Sequence, residues 1–144
     1  MQPRAGGTRV EGVRLLATAL LMNGVAMEVC GSSRPASGSE HLISHALDAS
    51  SARPRLHGLQ VGVATYLMAL VQGNHAAEVA ALFDATGFWD EVAGDPFDRD
   101  EWLAAVRAAP AVKANFYTVF SARDVFPEVE RHLTDDARLA PCFR

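Results

Sequence analysis

Apolar residues recur at helical spacing along most of this chain. From Thr8 to about Cys30, Val13, Leu16, Leu20 and Val25 or Met27 repeat at turn spacing, which predicts a helix. Thr8 and Glu11 have the form of a capping box, and Gly31 suits the residue just past a helix end. The run GSSRPASGS (31–39) is a loop by composition. Ser37 with Glu40 matches a second capping box, so a helix is expected through His41-Leu42-Ile43-Ser44-His45-Ala46-Leu47. The polar stretch DASSARPR then breaks it. A long apolar helix is expected from about Gly58 to Gly73, carrying Val61, Tyr66, Leu67, Leu70 and Val71. Another runs from about His75 to Thr86, closed by Gly87. Asp98 or Asp100 starts a helix through Trp102, Leu103 and Val106 that should stop before Pro110, because proline lacks the donor a helix interior needs. Pro127 suits the first position of a last helix through Val129 and Leu133. Only Phe116-Tyr117-Thr118-Val119-Phe120 reads as a strand, and no partner strand is evident. The pattern predicts an all-α fold, with residues 1–7 loose and residues 8–144 forming a single domain.

Composition narrows the class without changing the fold. A length of 144 residues is that of one ordinary domain. An apolar fraction of 49% with 21% charged residues is that of a soluble globular chain rather than a disordered one. The net charge of −4 argues against a nucleic-acid partner, whose binding face would be basic. Cys30 and Cys142 form no C-x-x-C pair, which removes zinc-finger and thioredoxin-like readings. Reduced thiols in a cytoplasmic protein are the simpler account. Arg4, Arg9 and Arg14 ahead of LLATALLMNGVAM have the outline of a signal peptide, but Glu11 and Glu28 interrupt it and no A-x-A-like cleavage site follows. Glu11, Arg14, Asn23 and Glu28 likewise punctuate the stretch against a membrane span, so no membrane association is expected.

Three histidines draw attention. His41 and His45 stand four residues apart and share one face of their expected helix, and His57 opens the next apolar helix. Two imidazoles on one helical face and a third from a nearby loop can reach one divalent ion; the same spacing also fits surface or hydrogen-bonded histidines. The Ser/Gly loop before the first pair is the second feature. Its small residues let backbone N–H groups approach an anion, the following helix start favours negative charge, and Arg34 can grip phosphate; such loops also serve merely to connect and cap. No G-x-G-x-x-G or P-loop occurs, so no nucleotide-phosphate cradle is recognisable. The acidic run Asp95, Asp98, Asp100 and Glu101 lacks Ca²⁺-loop spacing and reads as a helix cap. His75 and His132 read as surface histidines.

The run SSRPASGSEHLISHALD, followed by LHGLQVGVATYLMALVQG, resembles the sn-glycerol-1-phosphate dehydrogenase family, a relative of the iron-containing alcohol dehydrogenases, glycerol dehydrogenases and 3-dehydroquinate synthases. The likeness is strongest over about residues 31–73 and looser in the preceding helix and in VKANFYTVFSAR. It implies the helical, metal-binding C-terminal half of a two-domain enzyme, here without the N-terminal Rossmann-like half. It implies Zn²⁺ or another divalent metal on His41 and His57, with His45 beside the reacting centre as a proton relay or substrate contact. Arg34 and Ser37 would face the substrate or its phosphate. The implied reaction is hydride transfer between NAD(P) and the C2 carbonyl of dihydroxyacetone phosphate. Two departures stand out: family members carry an aspartate ligand ahead of the serine-rich loop, whereas the first aspartate here is Asp48, and Phe116 stands where relatives often carry arginine.

Those departures leave three readings. The chain is an enzyme half whose cofactor site comes from a partner domain or chain; or a non-catalytic stand-alone module for interaction or regulation; or a plain metal- or phosphate-binding helical domain. In the first two, the face that packs on the Rossmann half in the parent architecture would expose an apolar patch, so a partner chain or a homodimer is expected.

Overall fold

The computed structural model describes residues 9–53, 55–113 and 115–144. Residues 1–7 and the Thr8 cap lie outside them. Among the described residues the chain folds into eight α-helices and two 3-10 turns, with no strand. The all-α expectation is met. Contacts divide the chain into two compact units, Met1–Gly38 and Ser39–Arg144.

The first unit is built on α1 (Arg9–Cys30), which ends as its glycine predicts. Gly31 takes φ 59°, a left-handed conformation that costs glycine nothing, and Ser32 N–H reaches back to the Met27 carbonyl at 3.2 Å. A 3-10 turn at Arg34–Ala36 follows, with Pro35 early in it. Among the described residues of this unit α1 packs against that turn, and Val13, Leu16, Leu20 and Val25 are exposed. By length and composition Val10–Cys30 is apolar enough to cross a membrane, a property that buried core helices and signal sequences share.

The second unit is layered around α2 (Ser39–Ser50), α3 (His57–Gln72) and α6 (Arg99–Val112), with α2 packed against both of the others. In α2 the residues Leu42, Ile43, Ala46 and Leu47 are buried, the i, i+1, i+4, i+5 set that forms one stripe of a helix. In α3 burial runs nearly all round, through Gln60, Val63, Ala64, Tyr66, Leu67, Met68 and Val71, as expected of a central helix. Its end is set by Gly73 at φ 61°, with Asn74 N–H bonded to the Ala69 carbonyl at 2.9 Å. The helices α4 (Ala76–Thr86), α5 (Phe88–Ala93), α7 (Val119–Ala122) and α8 (Phe126–Asp135) complete the layer. A last 3-10 turn, Ala140–Cys142, leads to a short parallel bridge between Phe97 and Phe143. Phe97, Trp102 and Phe143 meet there, with centroids 4.9 Å and 5.2 Å from Trp102.

Several local expectations are corrected. Phe116–Phe120 is not a strand: Thr118 N–H is taken by Ser121 Oγ at 3.3 Å and the helix α7 begins at Val119. The helix α6 continues through Pro110 to Val112, so Pro110 falls in its last turn and the helix ends two residues beyond it. The Ser37–Glu40 capping box does not form; α2 starts at Ser39, and Ser37 Oγ has no hydrogen-bond partner among the described residues. The same helix absorbs Asp48, Ala49 and Ser50 before the polar stretch ends it. The short α5 has no counterpart in the sequence reading.

Candidate functional site

Helix α2 presents His41 and His45 from adjacent turns, and His57 enters at the first residue of α3. The three rings form a triangle, with centroids 6.3 Å apart for His41–His45, 5.4 Å for His41–His57 and 5.9 Å for His45–His57. The clustering read from spacing is therefore present. The two helices pack directly on each other, and the loop between them is tied to residues some forty to fifty positions later. Ser51 Oγ donates to Glu101 at 2.7 Å, Arg53 grips the Asp95 carboxylate through both terminal nitrogens at 3.0 and 2.9 Å, and Arg55 donates to the backbone carbonyls of Asp95 and Pro96. Asp98 caps α6 by accepting from Glu101 N–H at 3.0 Å, so the anchor itself is fixed.

Hydrogen bonds set which nitrogen of each imidazole carries the proton. Glu40 Oε1 lies 2.9 Å from His41 Nδ1, and a carboxylate can only accept, so Nδ1 holds the hydrogen. Ser44 Oγ lies 2.9 Å from His57 Nδ1, while the Ser44 hydroxyl proton goes to Gln60 Oε1 at 2.7 Å. A hydroxyl has one hydrogen, so Ser44 must accept from His57 Nδ1–H. The Asp48 carboxylate stands 3.8 Å from the same nitrogen and favours that arrangement electrostatically. In both rings Nε2 is left with its lone pair. His45 differs: burial, then the nearby positive charge of Lys113, holds its pKa below the ordinary value, with Asp48 opposing. The shift favours its neutral form.

This donor set fits part of a metal site. Two imidazoles bound to one Zn²⁺ through Nε2 bring their centroids to roughly 5 Å, close to the His41–His57 separation. Their Nδ1–H groups have the outer partners that metal-bound histidines ordinarily possess. Among the described residues, however, no three His, Cys, Asp or Glu side chains are grouped to hold an ion. Two positions are supplied where catalytic zinc sites usually take three from protein.

Arg34 and Ser37 belong to the first unit, and the structure gives them no shared geometry with the histidines. Arg34 is exposed at the head of its 3-10 turn, its backbone N–H bonded to Ser32 Oγ at 3.4 Å, and Ser37 is buried. His75 is exposed and pairs with Glu78 at 3.2 Å, as a surface histidine should. The residues missed by sequence reading are Glu40, Ser44, Gln60 and Lys113. Ser44 stands inside the H-x-x-S-H run but reads there as a spacer between histidines.

No family model matches the chain. Among curated proteins it is 38% identical over 109 residues to glycerol-1-phosphate dehydrogenase [NAD(P)+] of Pyrococcus furiosus, an alignment covering 76% of this chain and 32% of that protein. The Aeropyrum pernix protein of the same name matches at 36% over 127 residues, or 88% of this chain and 36% of that one. The Methanosarcina barkeri protein reaches 54% over 74 residues, covering 51% and 21%. The chain spans about a third of the length of the first two of these relatives. Identity at this level across three-quarters or more of its residues makes the chain a partial-length member of the glycerol-1-phosphate dehydrogenase family.

Proposed function

We propose that this chain is the metal-binding helical part of an NAD(P)-dependent sn-glycerol-1-phosphate dehydrogenase, a cytoplasmic enzyme moving hydride between nicotinamide and the C2 position of dihydroxyacetone phosphate. The observation that carries the proposal is the pair of imidazoles, His41 and His57, each with its proton fixed on Nδ1 and its Nε2 free. Those two nitrogens would hold Zn²⁺ or another divalent ion, with a further ligand from outside the described residues. When bound, such an ion supplies Lewis-acid polarisation of the carbonyl oxygen. His45, its neutral form favoured, would pass a proton to or from the alcohol oxygen. The positive charge of Lys113 beside it suits an anionic substrate, and Arg34 and Ser37 remain the candidates for the phosphate itself. The nicotinamide would be bound by a Rossmann-like domain, in the same or a partner chain. Names borne by relatives in three genera support this assignment.

A second reading has its own support. The lack of a three-donor group among the described residues favours a module that kept the fold and lost turnover. Zinc titration of the purified chain against a chromophoric chelator separates the two, with His57→Ala as control. One-to-one binding abolished by the substitution supports the metal site. No binding, or equal binding by the variant, supports the non-catalytic module.

A further inference from the structure

We infer that Ser44 and Gln60 form a positioning relay that selects the tautomer of His57, and so decides which of its nitrogens faces the site. The inference rests on the metal-binding reading for its purpose, though not for its geometry. Gln60 does not touch His57. It acts by accepting the Ser44 hydroxyl proton at 2.7 Å, which turns the serine oxygen into an acceptor 2.9 Å from His57 Nδ1. Both relay residues are buried, Ser44 at 0% and Gln60 at 1% exposure, while the His57 side chain is half exposed. An exposed imidazole left to itself favours the hydrogen on Nε2, the nitrogen that would have to be bare to bind an ion. A buried glutamine on a central helix otherwise lined by Val63, Ala64, Leu67 and Met68 is costly unless its polar atoms are used. The relay is a use for it, and places a polar chain, Gln60–Ser44–His57, across the α2–α3 contact.

The test reads tautomers directly. Histidine ¹⁵N chemical shifts and long-range ¹⁵N–¹H correlations are recorded on the metal-free chain at about pH 8.5, two units above the pKa of a free imidazole. Wild type should show His57 protonated on Nδ1. Gln60→Met, close to glutamine in volume and without the acceptor, should release the Ser44 proton toward Nδ1 and move the His57 hydrogen to Nε2; Ser44→Ala should do the same. Circular dichroism confirms that each variant folds, and either one alone suffices. A wild-type His57 protonated on Nε2, or a tautomer unchanged in a folded variant, overturns the relay; in the second case the Asp48 carboxylate holds the proton instead. Zinc competition on the same samples should show roughly 10–100-fold weaker binding in the variants. If wild type binds no zinc, the metal reading fails, and the tautomer result still decides the relay.

Discussion

The edge of the Phe88 ring occupies the space that a β-carbon on Gly62 would need, its Cζ only 2.4 Å and its Cε2 2.6 Å from that position. Gly62 is buried in α3, and Phe88 opens α5. The ring cannot retreat freely, since it stacks on Phe83 at 4.1 Å and meets Trp89 edge-on at 5.3 Å. Gly62→Ala should therefore destabilise. Overpacking costs about 1–3 kcal/mol, against about 1 kcal/mol gained in helix propensity. Thermal unfolding followed at 222 nm should show Tm lower by several degrees. A Tm equal to or above wild type would mean the α3–α5 contact is looser than described.

Arg55 should not be replaceable by lysine. Its guanidinium, 11% exposed, serves the carbonyls of Asp95 and Pro96 and the Asp95 carboxylate while lying 5.3 Å above the Phe97 ring. An ammonium cannot match that planar fork and leaves at least one carbonyl short. Urea denaturation should place Arg55→Lys about 1–2 kcal/mol below wild type. Equal midpoints would show that the loop is held by its other ties alone.

The two cysteines should differ in reactivity. Cys142 is buried, its thiol donating to the Arg138 carbonyl at 3.2 Å, and burial pushes its pKa up to about 12. Ellman's reagent at pH 8 should label Cys30 promptly and Cys142 only after denaturant is added. The folded state binds this proton more tightly than the unfolded state, whose thiol ionises near its ordinary pKa. Stability from this group is thus full below the unfolded pKa and is lost as pH rises toward 12. Cys142→Ala should flatten the alkaline arm of the stability profile; an unaltered slope would contradict the burial.

At acid pH the sign reverses. Asp84 is held below its usual pKa chiefly by hydrogen bonds from Arg138, at 3.2 and 2.9 Å, and Glu128 chiefly by those from Arg123. Both carboxylates favour the fold above their unfolded pKa, and that favour is lost as pH falls through the depressed folded values. The pairs are exposed, so the effect should be small and shrink in high salt. Arg138→Gln should raise the pH of acid unfolding slightly at low salt; the same shift in 1 M salt would assign it to packing.

Self-association is the expected behaviour of the isolated chain. The stripe Val13, Leu16, Leu20 and Val25 that defines α1 in the sequence is exposed. Apolar surface of that extent ordinarily finds a partner. Sedimentation velocity should show the mean coefficient rising with concentration, and a single monomeric boundary over a wide range would refute it.

Much of the fold was legible because helix ends are written locally. Gly73 and Gly87 close their helices at left-handed φ, Asp98 caps α6, and Pro127 stands second in the last helix, one place past the position expected, each from a few adjacent residues. The segment 116–120 misled because its aromatic and β-branched side chains carry strand propensity, yet no second strand exists among the described residues, and Phe116, Val119 and Phe120 pack against the core instead. The histidine triangle was legible from i, i+4 spacing and the His-Gly start. Its hydrogen-bonding shell was not, because Ser44 and Gln60 are sixteen positions apart and nothing local marks them as partners.

The ties of the α2–α3 loop to Glu101 and Asp95 have a consequence for how the site comes into being. A peptide of residues 32–73 would contain all three histidines, both relay residues and Glu40, and still lack the clamp on the loop that leads into His57. On the ribosome those histidines emerge well before Asp95 and Glu101, so the chain is synthesised with its ligands in hand and nothing to arrange them. A site whose connecting loop is fixed by residues not yet made is expected to settle only once Asp95 and the first turn of α6 are in place.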